Sequence, residues 1–341
     1  MSTDTLAAQA DITPFGIVDA INGFHRTAAL KAAIDLDLFT AIARGSDTSE
    51  GLATQVRAAE RGVRILCDFL TTIGFLEKSG GRYRLTSASQ RFLDRRSPAY
   101  MGSVVNFFAA PENLELFLED PTGYARNGGS VGSANVAPDN PVWVKFAEAM
   151  VPFVVASVAG VTAEIVSWPN PPRTVLDIAA GHGLYGISVA KALPRAEITA
   201  VDWASVLTLA RRNADEAGVG SRYRTIAGSA FDVDWGTGYD LVMLPNFLHH
   251  FDMATCVELL RKVRASLAPR GRAIAVEFVP NEDRVSPPFP AAFALIMLAT
   301  TPRGDAYTAR DLTEMAQRAG FSGASVRPLP QSPASFVQLE N

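Results

Sequence analysis

The chain has 341 residues, a formal net charge of −4 and a hydrophobic share of 48%, an ordinary globular composition with length enough for two domains. The mildly acidic balance leaves no basic stripe, which argues against nucleic acid as a partner. The apolar stretches 150–163 and 289–299 fall short of the ~20 residues of a membrane helix, which argues against a membrane span.

In chain order, residues 17–42 read as one helix with an alanine-rich apolar stripe. A polar cap opens a short helix at Ser49-Glu50-Gly51-Leu52-Ala53. Residues 61–73 form a second amphipathic helix, with Val63, Leu66, Leu70 and Ile73 on one face and Gly74 ending it. Residues 75–78, Gly80-Gly81 and residues 83–86 then read as strand, turn, strand. Helix, helix and hairpin make a winged helix. Cys67, Asp68 and Phe69 in its candidate recognition helix suit dimerisation better than DNA. Cys67 and Cys256, the two cysteines, sit in separate apolar runs and read as free buried thiols, in keeping with a cytoplasmic setting. Nothing in residues 1–14 has the pattern of a signal peptide.

Residues 100–168 read as largely helical, with a polar loop at 126–140. Trp143, Phe146 and Met150 follow at helical spacing, as core or as pocket lining. From Arg173 the pattern alternates. Strands are expected at 174–178, 197–202, 223–226, 241–245 and 273–278, and helices at 184–192, 206–217, 254–266 and 309–319. That order implies an α/β fold with a doubly wound, Rossmann-like parallel sheet. Segments 324–328 and 335–339 would add two strands at one edge. The expected domains are a winged-helix unit at 1–100, a helical substrate-pocket region at 101–168 and the Rossmann-like domain at 169–341.

The segment from Val175 to Gly186 carries the strongest chemical signal. An apolar strand runs through Asp177 into a turn with Gly181 and Gly183, then into a helix. The two glycines permit the tight turn and a close approach of ligand to backbone. About 20 residues on, a second strand ends at Asp202, where a carboxylate suits a ribose diol. Gly181, Gly183 and Gly186 also satisfy the dinucleotide fingerprint, so a nicotinamide dehydrogenase is the rival reading. Asp177 counts against it, because a carboxylate there repels a pyrophosphate. It suits a ligand carrying a sulfonium and an ammonium, namely S-adenosylmethionine (SAM).

With Gly51-Leu52-Ala53, Gly74-Phe75-Leu76, the Asp177–Gly183 turn, Asp202, the segment from Asn246 to Asp252, Gly271, Glu277 and Gly320-Phe321, the chain resembles the SAM-dependent O-methyltransferases of secondary metabolism. These have an N-terminal winged-helix dimerisation domain. The resemblance covers nearly the whole chain and names no substrate. It implies a homodimer with interlocked N-terminal domains and a small-molecule acceptor, a hydroxylated aromatic. Imidazole side chains titrate near neutral pH, and the family's general base falls on His249, with Glu277 to orient it. Asp177, Gly181 and Gly183 would hold the methionine end, Asp202 the ribose, and Ser229 and Phe231 the adenine, with Trp203 placed to stack on it. The acceptor would lie among Trp143, Phe146, Met150, Asn246, Phe293 and Met297, between two helices.

The sequence departs from the family pattern in three places. Ala306 stands where a second acidic residue is usual, beside Asp305. Ser229 replaces an aspartate, and Trp203-Ala204 follow Asp202 where Leu-Pro is typical. His250 is expected to point away from His249 as a hydrogen-bonded structural group. In the turn, the backbone of His182 is expected to matter more than its ring. A metal site at His249, His250 and Asp252 lacks supporting ligands. Methylation of nitrogen or carbon, a scaffold repurposed for hydroxylation, decarboxylation or cyclisation, and a non-catalytic SAM-sensing regulator are the alternatives.

Overall fold

The computed structural model describes residues 13–131 and 142–340. These fall into two compact units, divided between Ala110 and Pro111.

The first unit is helical with one hairpin. The stretch expected as a single helix is three: α1 (Pro14–Ile21), α2 (Gly23–Asp35) and α3 (Leu38–Ala43). Asn22 caps the first, and Asp37 adopts a left-handed φ of 58° that breaks the last junction. The apolar stripe is continuous in sequence, but its backbone changes direction twice. α4 (Ser49–Val56) begins at Thr48, whose hydroxyl accepts the Gly51 N–H at 3.2 Å. α5 (Glu60–Thr72) buries Val63, Cys67 and Leu70. β1 (Leu76–Ser79) and β2 (Arg82–Leu85) pair antiparallel around Gly80 and Gly81, both at positive φ, as the glycine pair predicts. Asp68 takes both Arg64 of the same helix and Lys78 of β1. α6 (Ser87–Phe92) and α7 (Val105–Phe108) complete the unit. α1 buries none of its residues; Phe15 is 86% exposed and Ile21 70%.

The second unit opens with α8 (Pro111–Leu118), α9 (Pro121–Asn127) and α10 (Val142–Val166). The start of the expected 126–140 loop is the end of α9; residues 132–140 lie outside those described. α10 is longer than the apolar stretch read from the sequence, and by length and composition alone it could cross a membrane. It instead lays Val154, Val158, Val161 and Ile165 into the domain core at helical spacing.

The sheet has the order β5-β4-β3-β6-β7-β9-β8. These strands are β3 (Thr174–Ile178), β4 (Glu197–Asp202), β5 (Tyr223–Ala227), β6 (Tyr239–Pro245), β7 (Leu267–Glu277), β8 (Gly323–Pro328) and β9 (Ser335–Glu340). β3 to β7 run parallel; β9 is antiparallel to both β7 and β8. The two tail strands lie at one edge, as expected. β3 alternates faces: Val175 joins one hydrophobic layer, and Leu176 and Ile178 the other. α11 (Leu184–Ala192), α12 (Ala204–Glu216), α13 (Met253–Ser266), α14 (Pro288–Thr300) and α15 (Ala309–Arg318) supply the helices. Gly271, one of the residues that carry the resemblance, is in β7 (Leu267–Glu277). It lies at a register irregularity, where a Cβ would stand 2.4 Å from the Tyr239 carbonyl oxygen. Strand order reverses at β3, so the carboxyl ends of β3, β4 and β6 surround the crevice where such sheets bind ligands.

Candidate active site

The turn after β3 takes left-handed φ values at Ala179 (55°), Gly181 (57°) and Gly183 (77°). The two glycines differ in purpose. Around a Cβ on Gly181 only the Ala179 carbonyl comes within 4 Å, at 3.9 Å, so this side of the turn is open. On Gly183 a Cβ would meet the Tyr223 hydroxyl at 2.7 Å and Ala210 at 3.1 Å. Both glycines were expected to serve the tight turn and ligand approach; at Gly183, packing against α12 and β5 also requires that no side chain be present.

Two carboxylates frame the turn. Asp177 is fully buried. Its Oδ2 accepts the Gly186 N–H at 3.0 Å, and its Oδ1 has no hydrogen-bond partner among the described residues. Burial pushes this carboxyl up to about 8; the Gly186 N–H opposes the shift and the Asp202 charge adds to it. A cation brought alongside would restore the ionised form. Asp202 ties neighbouring strand ends together. Its Oδ2 accepts the Gly181 N–H at 2.8 Å and its Oδ1 the Trp203 N–H at 2.7 Å. Burial raises it to about 6, against those two N–H groups. Each oxygen keeps a lone pair for a hydroxyl donor.

The His182 ring has its own task. Its Nδ1 accepts the Leu184 N–H at 3.1 Å, capping the first turn of α11, while its carbonyl accepts Asn213 Nδ2 at 2.8 Å. Burial lowers the ring to about 4, which keeps Nδ1 an acceptor. The backbone was expected to matter more than the ring; here ring and carbonyl each hold a partner.

On the adenine side, the Ser229 hydroxyl accepts the Phe231 N–H at 3.1 Å. Phe231 packs edge-on against Phe251, and Phe251 against Phe247, each at 5.0 Å between ring centres. Trp203 is half-buried at the N-cap of α12.

The segment after β6 builds the second half. Asn246 adopts a φ of 54° and its Oδ1 is buried without a partner among the described residues. Such a conformation costs energy in a non-glycine residue and is common at functional sites. A tight turn, Leu248–His250, follows. His249 Nδ1 lies 2.6 Å from Glu277 Oε2, and both side chains are buried. Glu277 Oε1 accepts the Phe247 and Leu248 N–H groups at 3.0 and 2.8 Å. The strand end thus fixes both the ring and its loop.

His249 and His250 do not point apart. On this turn their ring centres are 4.4 Å apart. Nor is His250 hydrogen-bonded at Nδ1, which is buried without a partner among the described residues. Burial first, and then His249, hold it well below the usual histidine range. Trp143 stands edge-on to His250 at 5.7 Å and to Phe146 at 6.1 Å, and its Nε1 also has no hydrogen-bond partner among the described residues.

Phe293 meets the His249 ring edge-on at 4.8 Å and packs on Phe278 at 4.5 Å. Phe153 on α10 and Phe289 on α14 are 5.9 Å apart, so the two helices expected to flank the acceptor approach one another there. Met150 and Met297 are buried in those helices. Phe153, Phe278 and Phe289 were missed in the sequence. Phe153 is one helical turn beyond Met150, and Phe278 directly follows Glu277. The Tyr185 hydroxyl, flanked by Ser157 and Asn246, is buried without a hydrogen bond of ordinary geometry among the described residues.

The segment lacking the second acid packs directly on the Leu248–His250 turn. The Asp305 N–H donates to the His249 carbonyl at 3.0 Å, and a Cβ on Gly304 would stand 2.2 Å from that same oxygen. The Asp305 side chain turns to Arg284 at 3.2 Å. Ala306 is buried with Phe293 and Met297. Glu277 is therefore the one carboxylate hydrogen-bonded to the His249 ring among the described residues. Those residues also contain no cluster fit for a metal.

Comparison with known proteins fits this geometry. A crystal structure of a candidate O-methyltransferase from Nostoc punctiforme superposes with a TM-score of 0.93 at 48% identity, covering 96% of this chain and 99% of that one. The chain belongs to the O-methyltransferase family. A profile for the O-methyltransferase domain matches residues 153–322, and one for the O-methyltransferase dimerisation domain matches 18–95, which supports homo-oligomerisation. This O-methyltransferase is 27% identical over 312 residues to the 3-hydroxy-5-methyl-1-naphthoate 3-O-methyltransferase of Streptomyces sahachiroi, spanning 91% of this chain and 90% of that relative. It also superposes on PigF, solved with S-adenosylhomocysteine (SAH), with a TM-score of 0.83 at 25% identity, covering 96% of this chain and 99% of that one. The enzyme is SAM-dependent, as its family is. Its motifs resemble this same family.

Proposed function

We propose that this enzyme methylates a hydroxyl on a small aromatic metabolite, with His249 as general base held by Glu277. The dyad at 2.6 Å, walled by Phe278 and Phe293, carries the reading. The buried Asp177 Oδ1 and Asn246 Oδ1, without partners among the described residues, fit a cationic amino-acid end. The open face of Gly181 fits a close backbone approach, and the spare lone pairs of Asp202 fit a ribose diol. Trp203, Ser229 and Phe231 would bracket the adenine.

SAM supplies an activated methyl group on a sulfonium sulfur. His249 Nε2 takes the proton of the acceptor hydroxyl as the new C–O bond forms and the S–CH3 bond breaks. Glu277 stabilises the resulting imidazolium, which then returns its proton to solvent. Trp143, Phe146, Met150, Phe293 and Met297 hold the acceptor ring in line, and that positioning supplies most of the rate. The working form is a homodimer in the cytoplasm, in keeping with the free, buried Cys67 and Cys256.

Incubation with methyl-labelled SAM and a panel of phenols and naphthols tests the reading. Label should appear as an aryl methyl ether, and His249→Ala should reduce turnover ~10²–10⁴-fold while retaining SAH binding. Near-normal turnover of this variant would sink the general-base assignment.

A further inference from the structure

Lys262 reaches from α13 to the loop that follows β5. Its ammonium donates to the carbonyls of Ala230 at 2.9 Å, Phe231 at 3.1 Å and Val233 at 2.7 Å. An ammonium has three N–H donors, so these bonds fill its complement. Its nitrogen also lies 4.0 Å from the centre of the Trp235 ring, within cation–π range. Burial lowers the Lys262 pKa, with Asp232 and Asp234 opposing.

The peptide joining Ala230 to Phe231 connects this lysine to the adenine side of the site. In a trans peptide the C=O and N–H point in opposite directions. The Ala230 carbonyl meets Lys262, and the Phe231 N–H meets the Ser229 hydroxyl oxygen at 3.1 Å. Lys262 and Ser229 hold opposite ends of one peptide group. With that N–H on its oxygen, the Ser229 hydroxyl directs its hydrogen elsewhere.

We propose that Lys262 is a positioning residue for SAM, fixing three carbonyls of the 228–235 loop and thereby the direction of the Ser229 hydroxyl and the seat of Phe231. Lys262 itself contacts neither reactant. The proposal rests on the adenine role given above to Ser229 and Phe231.

The test uses the full-length enzyme and SAH as the binding probe. Lys262→Met should weaken SAH binding and raise the SAM KM by about tenfold or more, with kcat at saturating SAM within about twofold of wild type. Lys262→Arg should recover part of the loss. Ser229→Ala should also weaken SAH, and the double variant should bind no worse than Lys262→Met alone, because both act through one peptide. Unchanged SAH affinity in Lys262→Met, a lowered melting temperature with unchanged SAM KM, or additive losses in the double variant overturns the proposal. If Lys262→Met does not fold, Lys262→Gln takes its place under the same criteria. Normal SAH binding by Ser229→Ala defeats the adenine reading itself. Weakened binding there, with none in the Lys262 variants, defeats only the lysine's role.

Discussion

Glu277 divides its two oxygens between the His249 ring and the backbone that carries that ring. Oε2 meets Nδ1 at 2.6 Å, and Oε1 accepts the Phe247 and Leu248 N–H groups. A carboxylate on Nδ1 keeps the hydrogen there and leaves Nε2 its lone pair. Glu277→Gln would present an amide N–H to Nδ1 and favour the opposite tautomer. Turnover should fall by ~10²-fold or more, with SAH affinity within about twofold. Turnover within tenfold of wild type would mean that the carboxylate serves only to hold the loop.

Asp177 is expected to oppose folding and favour binding. Its folded pKa, about 8, lies above the ordinary carboxylate value of 3.8. Its contribution to stability is therefore full below pH 3.8 and lost as pH rises through about 8. Asp177→Asn removes that dependence. The free variant should melt no lower than wild type at pH 8, while SAH and SAM bind about tenfold more weakly. A variant that melts lower yet binds both normally would leave Asp177 with a folding role alone.

His182 carries the opposite sign. Its folded value of about 4 lies below the usual 6.5, so its contribution is present above pH 6.5 and lost as pH falls through about 4. A shift of this size is worth on the order of 3 kcal/mol. His182→Asn keeps an acceptor for the Leu184 N–H and removes the titration. Chemical denaturation between pH 7 and pH 4 should show a shallower stability loss in the variant. Identical slopes would place the acid sensitivity elsewhere.

Gly181 and Gly183 should separate under substitution by alanine. Gly183→Ala drives a methyl against Tyr223 and Ala210 at a left-handed φ of 77°, and should cost about 1–3 kcal/mol for the clash on top of about 1–2 kcal/mol for the backbone. Gly181→Ala meets open space and pays mainly the left-handed backbone cost of about 1–2 kcal/mol. Its larger effect should be on SAH affinity. Calorimetry of folding and binding on both variants checks the contrast; equal effects on SAH would place both methyls on the ligand side.

The parts of the site that lie along single strands were legible in the sequence. Asp177, Asp202 and Glu277 each stand at or beside the end of an apolar strand, and His249 follows one closely, so their order along the chain gave their neighbourhood. The role of Gly183 was not legible, because Ala210 and Tyr223 come from two other elements. The same holds for Phe153 and Phe289, which meet only when α10 and α14 pack. The break of residues 17–42 into three helices hid behind an uninterrupted apolar stripe. The His182 cap escaped because a histidine in a glycine turn gives no sign of where its ring folds. Asp305 sat beside the expected acidic position, and only Arg284 and the bond to the His249 carbonyl show which way it faces.

β9 pairs with β7 such that Ser335 stands opposite Glu277. The strand presenting the carboxylate therefore gains its second neighbour from residues more than fifty positions downstream. On the ribosome, β3, β4, β5, β6 and β7 emerge in succession, yet β7 remains an open edge until residues 335–340 follow. Methyl transfer should therefore be a late property of the nascent chain, appearing after the glycine turn can already form.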